Sequence, residues 1–130
     1  LLGTVALGLF IAGQSGGVLA ATINGFVVPQ LWGYPQGEIG NDIGPLLWEL
    51  NQAFARLGAI AAGVAIAMFG AALWRMGHRA IGATGSVVGA GTAAVLAGGV
   101  ISMDLHGALT TYLSQLAWLA AFGAVMARKA

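Results

Sequence analysis

Positions 57–74, LGAIAAGVAIAMFGAALW, form an uncharged run of 18 small and apolar residues that closes on Arg75. About 18 such residues in a helix rising 1.5 Å each reach across most of a ~30 Å hydrocarbon core, which reads as a membrane-crossing helix. On its N-terminal side Glu49, Gln52 and Arg56 recur at spacings of three and four, while Leu46, Leu47, Leu50 and Phe54 are apolar. That pattern extends the helix as an amphipathic piece, and Pro45 suits its first turn, where a missing N–H costs nothing. The span is therefore expected at 46–74, about 43 Å long, with its first turns standing in the headgroup region.

Outward from this helix the chain repeats the same character. A stretch at 1–28 is interrupted only by Gln14, Ser15 and Asn24 and ends at Pro29. We expect one tilted or kinked helix there; a break at Gln14-Ser15-Gly16-Gly17 would leave a piece too short to cross. Turn formers fill 29–45, which is expected as the one substantial loop. Further spans are expected at 80–103 and 108–126, joined by the short links 75–79 and 104–107, which force antiparallel neighbours. The expected fold is all-α, an integral membrane four-helix bundle with up-down connections in a single domain over 1–130.

Composition agrees. Hydrophobic residues make up 58% of the chain and charged residues 7%, against about a quarter charged in soluble domains, and the mean hydropathy is +0.87. A net charge of +1 without a Lys/Arg run excludes the electrostatic footprint of a nucleic-acid binder. With no cysteine, disulfides, thiolate metal sites and dithiol redox chemistry are excluded too. The chain starts at Leu1 without Met or a basic leader, so it is expected to be processed or a piece of a longer protein.

The charges sort by side. Four crossings place Arg75, Arg79, Arg128 and Lys129 together, opposite Glu38, Asp42, Glu49 and Asp104. By the positive-inside rule the basic side is expected in the cytoplasm and the loop 29–45 outward, as in a bacterial inner membrane. Arg56 alone breaks the pattern. Trp32, Tyr34, Trp48 and Tyr112 would anchor the outer interface and Trp74 the inner one, whereas Trp118 lies closer to mid-span.

Candidate chemistry is sparse. Gly85 and Gly89, with many other small residues, are expected to let helices pack closely. Gln14 and Ser15 of the first span and Thr111, Ser114 and Gln115 of the fourth make polar stripes that avoid lipid. We expect these to join the two spans by hydrogen bonds, or else to line a polar path. Arg56 is expected to pair with Glu49 or Asp104. His106, Asp104 and Glu49 at one depth are the candidates for a metal, proton or quinone site, although Asp-x-His is too common a pattern to identify one. His78 and His106 stand 28 residues apart, about 42 Å along a helix, and cannot share a haem. No cofactor is expected. The partners expected are the bilayer and other membrane subunits or a second copy, with no nucleic acid.

Three function classes remain open: a non-catalytic accessory subunit of a membrane complex, part of a transporter or channel, and a membrane redox or metal protein using His106 and Asp104.

Overall fold

Pro29 has no N–H, and its ring crowds the carbonyl four residues earlier, so a regular α turn cannot close over that position. The chain responds by widening. In the computed structural model, which describes residues 1–31 and 39–127, helix α1 spans Leu2–Leu31. It carries a π turn at Ile23–Val27, closed by the Val28 N–H donating to the Ile23 carbonyl. Upstream of that turn α1 passes unbroken through Gln14 to Gly17. Ser15 and Thr22 satisfy their hydroxyls on the carbonyls of Ile11 and Val18, at 3.0 and 2.8 Å, so neither polar group demands a partner outside the helix.

Helix α2 spans Ile39–Arg75, α3 Arg79–Ala97 and α4 Leu105–Ala127. All four helices are long and apolar enough to cross a membrane. Three boundaries differ from expectation. The interval 29–45 is helical at both ends, and Pro45 lies inside α2 rather than in its first turn. The third helix ends at Ala97, six residues short of the expected 103. The fourth begins at Leu105 because Asp104 caps it, so most of the expected link 104–107 is helix.

Glycine ends two of these helices by one device. Gly77 and Gly99 adopt φ of 90° and 69°, the left-handed region that side chains disfavour. At Gly77 the His78 N–H reaches the Leu73 carbonyl and the Gly77 N–H that of Trp74; at Gly99 the corresponding bonds run from Val100 to Val95 and from Gly99 to Leu96. These are Schellman closures, which satisfy the last carbonyls and turn the chain back. Apolar Val100 and Ile101 after the second closure continue the hydropathy of the span without continuing its helix.

Helix α2 is the centre of the bundle. Its small-residue stripe, Ala55, Ala59, Ala62 and Ala65, is buried. On one side Gly13 and Gly16 of α1 lie against Gly58, where an added Cβ on Gly58 would stand 2.6 Å from the Gly13 carbonyl. On the other side Gly63 and Gly70 of α2 oppose Gly89 and Gly82 of α3 just as closely. In lipid the tails are as apolar as the side chains, so helices associate through this backbone proximity and its dispersion contacts. Helix α4 attaches differently, by large side chains. Its Trp118 indole lies over Gly85, stacks on Phe122 at 5.5 Å and donates Nε1–H to the Ile81 carbonyl at 3.0 Å. Phe122 in turn stacks on Phe69 of α2 at 6.5 Å.

Two levels can be drawn through the bundle. Arg56 and Arg75 stand 19 residues apart on α2, about 28 Å. Helix α3, with 19 residues, has the same length and runs between the same levels, because Arg56 reaches its last carbonyls. This separation matches a hydrocarbon core of ~30 Å. Beyond the Arg56 level α2 continues to Ile39, a further ~25 Å. Because Gly16 and Gly17 lie beside Gly58, the α1 segment from Val18 to Leu31 climbs alongside it. The two make a helical hairpin that rises past the ends of α3 and α4.

Candidate functional site

The polar and charged groups gather near the Arg56 level. Arg56 is half-buried and faces the end of α3, where its Nε donates to the Leu96 carbonyl at 2.7 Å and its Nη2 to that of Ala97 at 3.5 Å. A helix C-terminus carries partial negative charge, and the Leu96 carbonyl keeps a second lone pair beside its bond from the Gly99 N–H, so a guanidinium there is both hydrogen-bonded and electrostatically favoured. The expected pair with Glu49 is not formed: Glu49 is exposed, and the guanidinium contacts carbonyls instead. The carbonyls at the end of α3 lie within hydrogen-bond reach of the guanidinium, whereas an ion pair with an exposed carboxylate gains little in solvent.

Asp104 is likewise committed elsewhere. Its Oδ1 accepts the Gly107 N–H at 2.9 Å and its Oδ2 accepts the Ser102 hydroxyl at 2.7 Å, an N-cap for α4. The Gly107 N–H and then the Ser102 hydroxyl hold its carboxyl below the usual carboxylate range, with a smaller contribution from neighbouring His106. His106 is exposed in the first turn of α4. Among the described residues no three of His, Cys, Asp or Glu converge to hold a metal, so His106, Asp104 and Glu49 are not brought together as ligands.

The α4 stripe faces protein, as its polarity requires, but it meets α2 and α3 rather than α1. Thr111, Gln115 and Trp118 are buried, and Gln115 Nε2 donates to the Ala59 carbonyl of α2 at 3.1 Å. Ser114 turns its hydroxyl onto the Thr111 carbonyl of its own helix. Gln14 and Ser15 are exposed on α1. The expected attachment of the first span to the fourth through these side chains is therefore replaced by a Gln115 bond to the central helix. The Tyr112 side chain of α4 reaches toward α1 at Gly17, where an added Cβ would stand 3.7 Å from its hydroxyl. Gly85 and Gly89 both serve packing, Gly89 against the α2 backbone at Gly63 and Ala67 and Gly85 under the Trp118 ring. Trp32, Tyr34, Glu38, Arg128, Lys129 and the Asp42 side chain lie outside the described residues.

Sequence reasoning passed over Asn51. It is only 4% exposed, and its Oδ1 has no hydrogen-bond partner among the described residues. The signal was available: the buried stripe Ala55, Ala59, Ala62 extended one turn toward the N-terminus reaches Asn51. Register places it near the π turn of α1, since Gly16 lies against Phe54 and Gly58.

A cleft of about 680 Å³ opens beside Arg56, between α2 and the α3–α4 link. Glu49, Gln52, Arg56 and Ser102 supply its polar lining, and Leu57, Ile60, Ala97 and Met103 its apolar lining. Compared with protein families, curated proteins and solved structures, the chain matches none.

Proposed function

We propose that this chain is a non-catalytic accessory subunit of a membrane complex, crossing the bilayer four times and presenting the α1–α2 hairpin to a partner. The observation that carries the reading is the hairpin's apolar surface above the Arg56 level. Phe26 is 71% exposed there, Leu46 66% and Trp48 52%. Headgroup regions add only ~5–7 Å per side to the hydrocarbon core, so much of a ~25 Å projection stands beyond lipid. Large apolar side chains exposed on both helices of one projection beyond lipid favour a protein that covers them. With Arg75 and Arg79 at the opposite level, the positive-inside rule puts the hairpin outside, in the periplasm if the membrane is a bacterial inner membrane.

The test is native gel migration of the protein extracted mildly from its own membranes, for the natural chain and for Leu46→Glu and Trp48→Glu. The reading expects a discrete assembly larger than the chain that both substitutions disperse, while Val87→Thr on the lipid-facing side of α3 leaves it intact. A single species unchanged by any of them refutes it.

A second reading, a piece of a transporter or channel, is favoured by the Asn51 Oδ1, buried beside a π turn without a partner among the described residues, since widened helices and interior polar groups accompany substrate paths. It expects a solute or ion flux in liposomes that Asn51→Leu abolishes. The redox or metal reading has no such observation behind it.

A further inference from the structure

The cleft beside Arg56 changes character along α2. Going toward the Arg75 end it is lined by Leu57 and Ile60; going toward the hairpin it is lined by Gln52 and Glu49. The change falls at the level where α3 ends, about 28 Å from Arg75, which is where hydrocarbon gives way to headgroups in a ~30 Å core. An occupant of this cleft is therefore itself amphipathic, with its tail beside Leu57 and Ile60 and its polar end between Arg56 and Glu49.

The charges specify the polar end further. Arg56 spends Nε and Nη2 on two neutral carbonyls, so its positive charge is not cancelled and Nη1 makes no hydrogen bond among the described residues. A guanidinium so placed, fixed in direction by the helix end, suits a phosphodiester. Glu49 lies seven residues outward, about 10 Å along the same face, exposed in the cleft and making no hydrogen bond among the described residues. It suits a protonated amine, which an ethanolamine arm carries a few bonds beyond its phosphate. We propose that this cleft is a binding site for an aminophospholipid of the phosphatidylethanolamine type, with the phosphate on Arg56, the primary amine on Glu49 and an acyl chain along Leu57 and Ile60.

The choice excludes two close relatives on chemical grounds. A quaternary choline has no N–H to donate to Glu49, and a glycerol headgroup brings no positive charge. Native mass spectrometry of the purified protein, with equal amounts of dioleoyl phosphatidylethanolamine, phosphatidylcholine and phosphatidylglycerol, reads the preference directly. The natural chain should retain the ethanolamine lipid about tenfold over the other two, the ratio corresponding to one charge-assisted hydrogen bond of about 1.4 kcal/mol. Glu49→Gln, at an exposed side chain whose loss leaves the bundle untouched, should bring that ratio to about one while lipid is still retained. Arg56→Gln should lower retention of all three lipids. Glycerophosphoethanolamine, which has the headgroup but no acyl chain, should fail to compete.

Equal retention of the three lipids by the natural chain overturns the proposal, as does an undiminished preference in Glu49→Gln. Effective competition by glycerophosphoethanolamine also overturns it, because the cleft would then be a site for a soluble phosphate ester.

Discussion

Replacing Gly58 by Ala adds a single methyl group, and the bundle fixes the sign of its effect. That methyl would lie 2.6 Å from the Gly13 carbonyl oxygen, 3.0 Å from the Gly17 nitrogen and 3.3 Å from the Gly16 carbonyl carbon. All three are backbone atoms of α1, so no side chain can rotate away. Restoring an ordinary contact of 3.4 Å requires α1 and α2 to part locally by about 0.8 Å, and a gap of that size forfeits a quarter to a half of the dispersion attraction around it. With overpacking in a tight interface costing about 1–3 kcal/mol, Gly58→Ala should destabilise the bundle by that amount. Gly8, on the same interval of α1, has nothing within 4 Å of an added Cβ. Its change to Ala brings only the better helix propensity, worth up to ~1 kcal/mol in favour. Reversible unfolding in mixed micelles, read by the near-ultraviolet signal of the tryptophans, measures both. Equal effects from the two substitutions, or stabilisation by Gly58→Ala, would refute the close α1–α2 packing.

Gln115→Leu should cost about 1 kcal/mol in the same assay through loss of its bond to the Ala59 carbonyl. Trp118→Phe, which keeps the ring over Gly85 but removes the N–H donated to Ile81, should cost a similar ~1 kcal/mol, against ~3–5 kcal/mol for Trp118→Ala. Asn51→Leu should be neutral or stabilising by on the order of 1 kcal/mol, since it removes a buried acceptor without a donor; marked destabilisation would show that the amide has a partner. Asp104 has a carboxyl held below its usual range by Gly107 and Ser102. Its contribution is therefore present above the unfolded-state value near 3.9 and is lost as pH falls through the lower folded value. Asp104→Asn keeps a capping oxygen and should erase that acid-side loss, which a stability profile between pH 2 and pH 6 would read.

Much of the architecture is legible in residues whose meaning is solvent-independent. The uncharged run 57–74 and the basic pair Arg75 and Arg79 mark a crossing and its end, and Gly85 and Gly89 mark a surface where backbones meet. The end of α3 is harder to see, because Gly98 and Gly99 stop the helix while Val100 and Ile101 carry the apolar composition onward; composition reports the solvent and not the backbone. The partner of Arg56 is illegible for a similar reason. Pairing by charge points to Glu49 or Asp104, whereas the observed acceptors are backbone carbonyls that exist only once α3 has ended at that depth. The stripe through Thr111, Gln115 and Trp118 is visible as protein-facing, but the helix it meets depends on α2 standing between α1 and the rest.

The central claim is that the bilayer occupies the interval between Arg56 and Arg75 while the α1–α2 hairpin rises out of it. Because the chain has no cysteine, single nitroxide labels on introduced cysteines at Leu46, Leu57, Val64 and Met76 report depth by their relative collision with oxygen and a water-soluble nickel chelate. In liposomes holding the purified protein, Val64 should lie deepest, Leu57 and Met76 near the two interfaces and Leu46 in water. Lipid-like immersion at Leu46, or water exposure at Val64, would contradict the account.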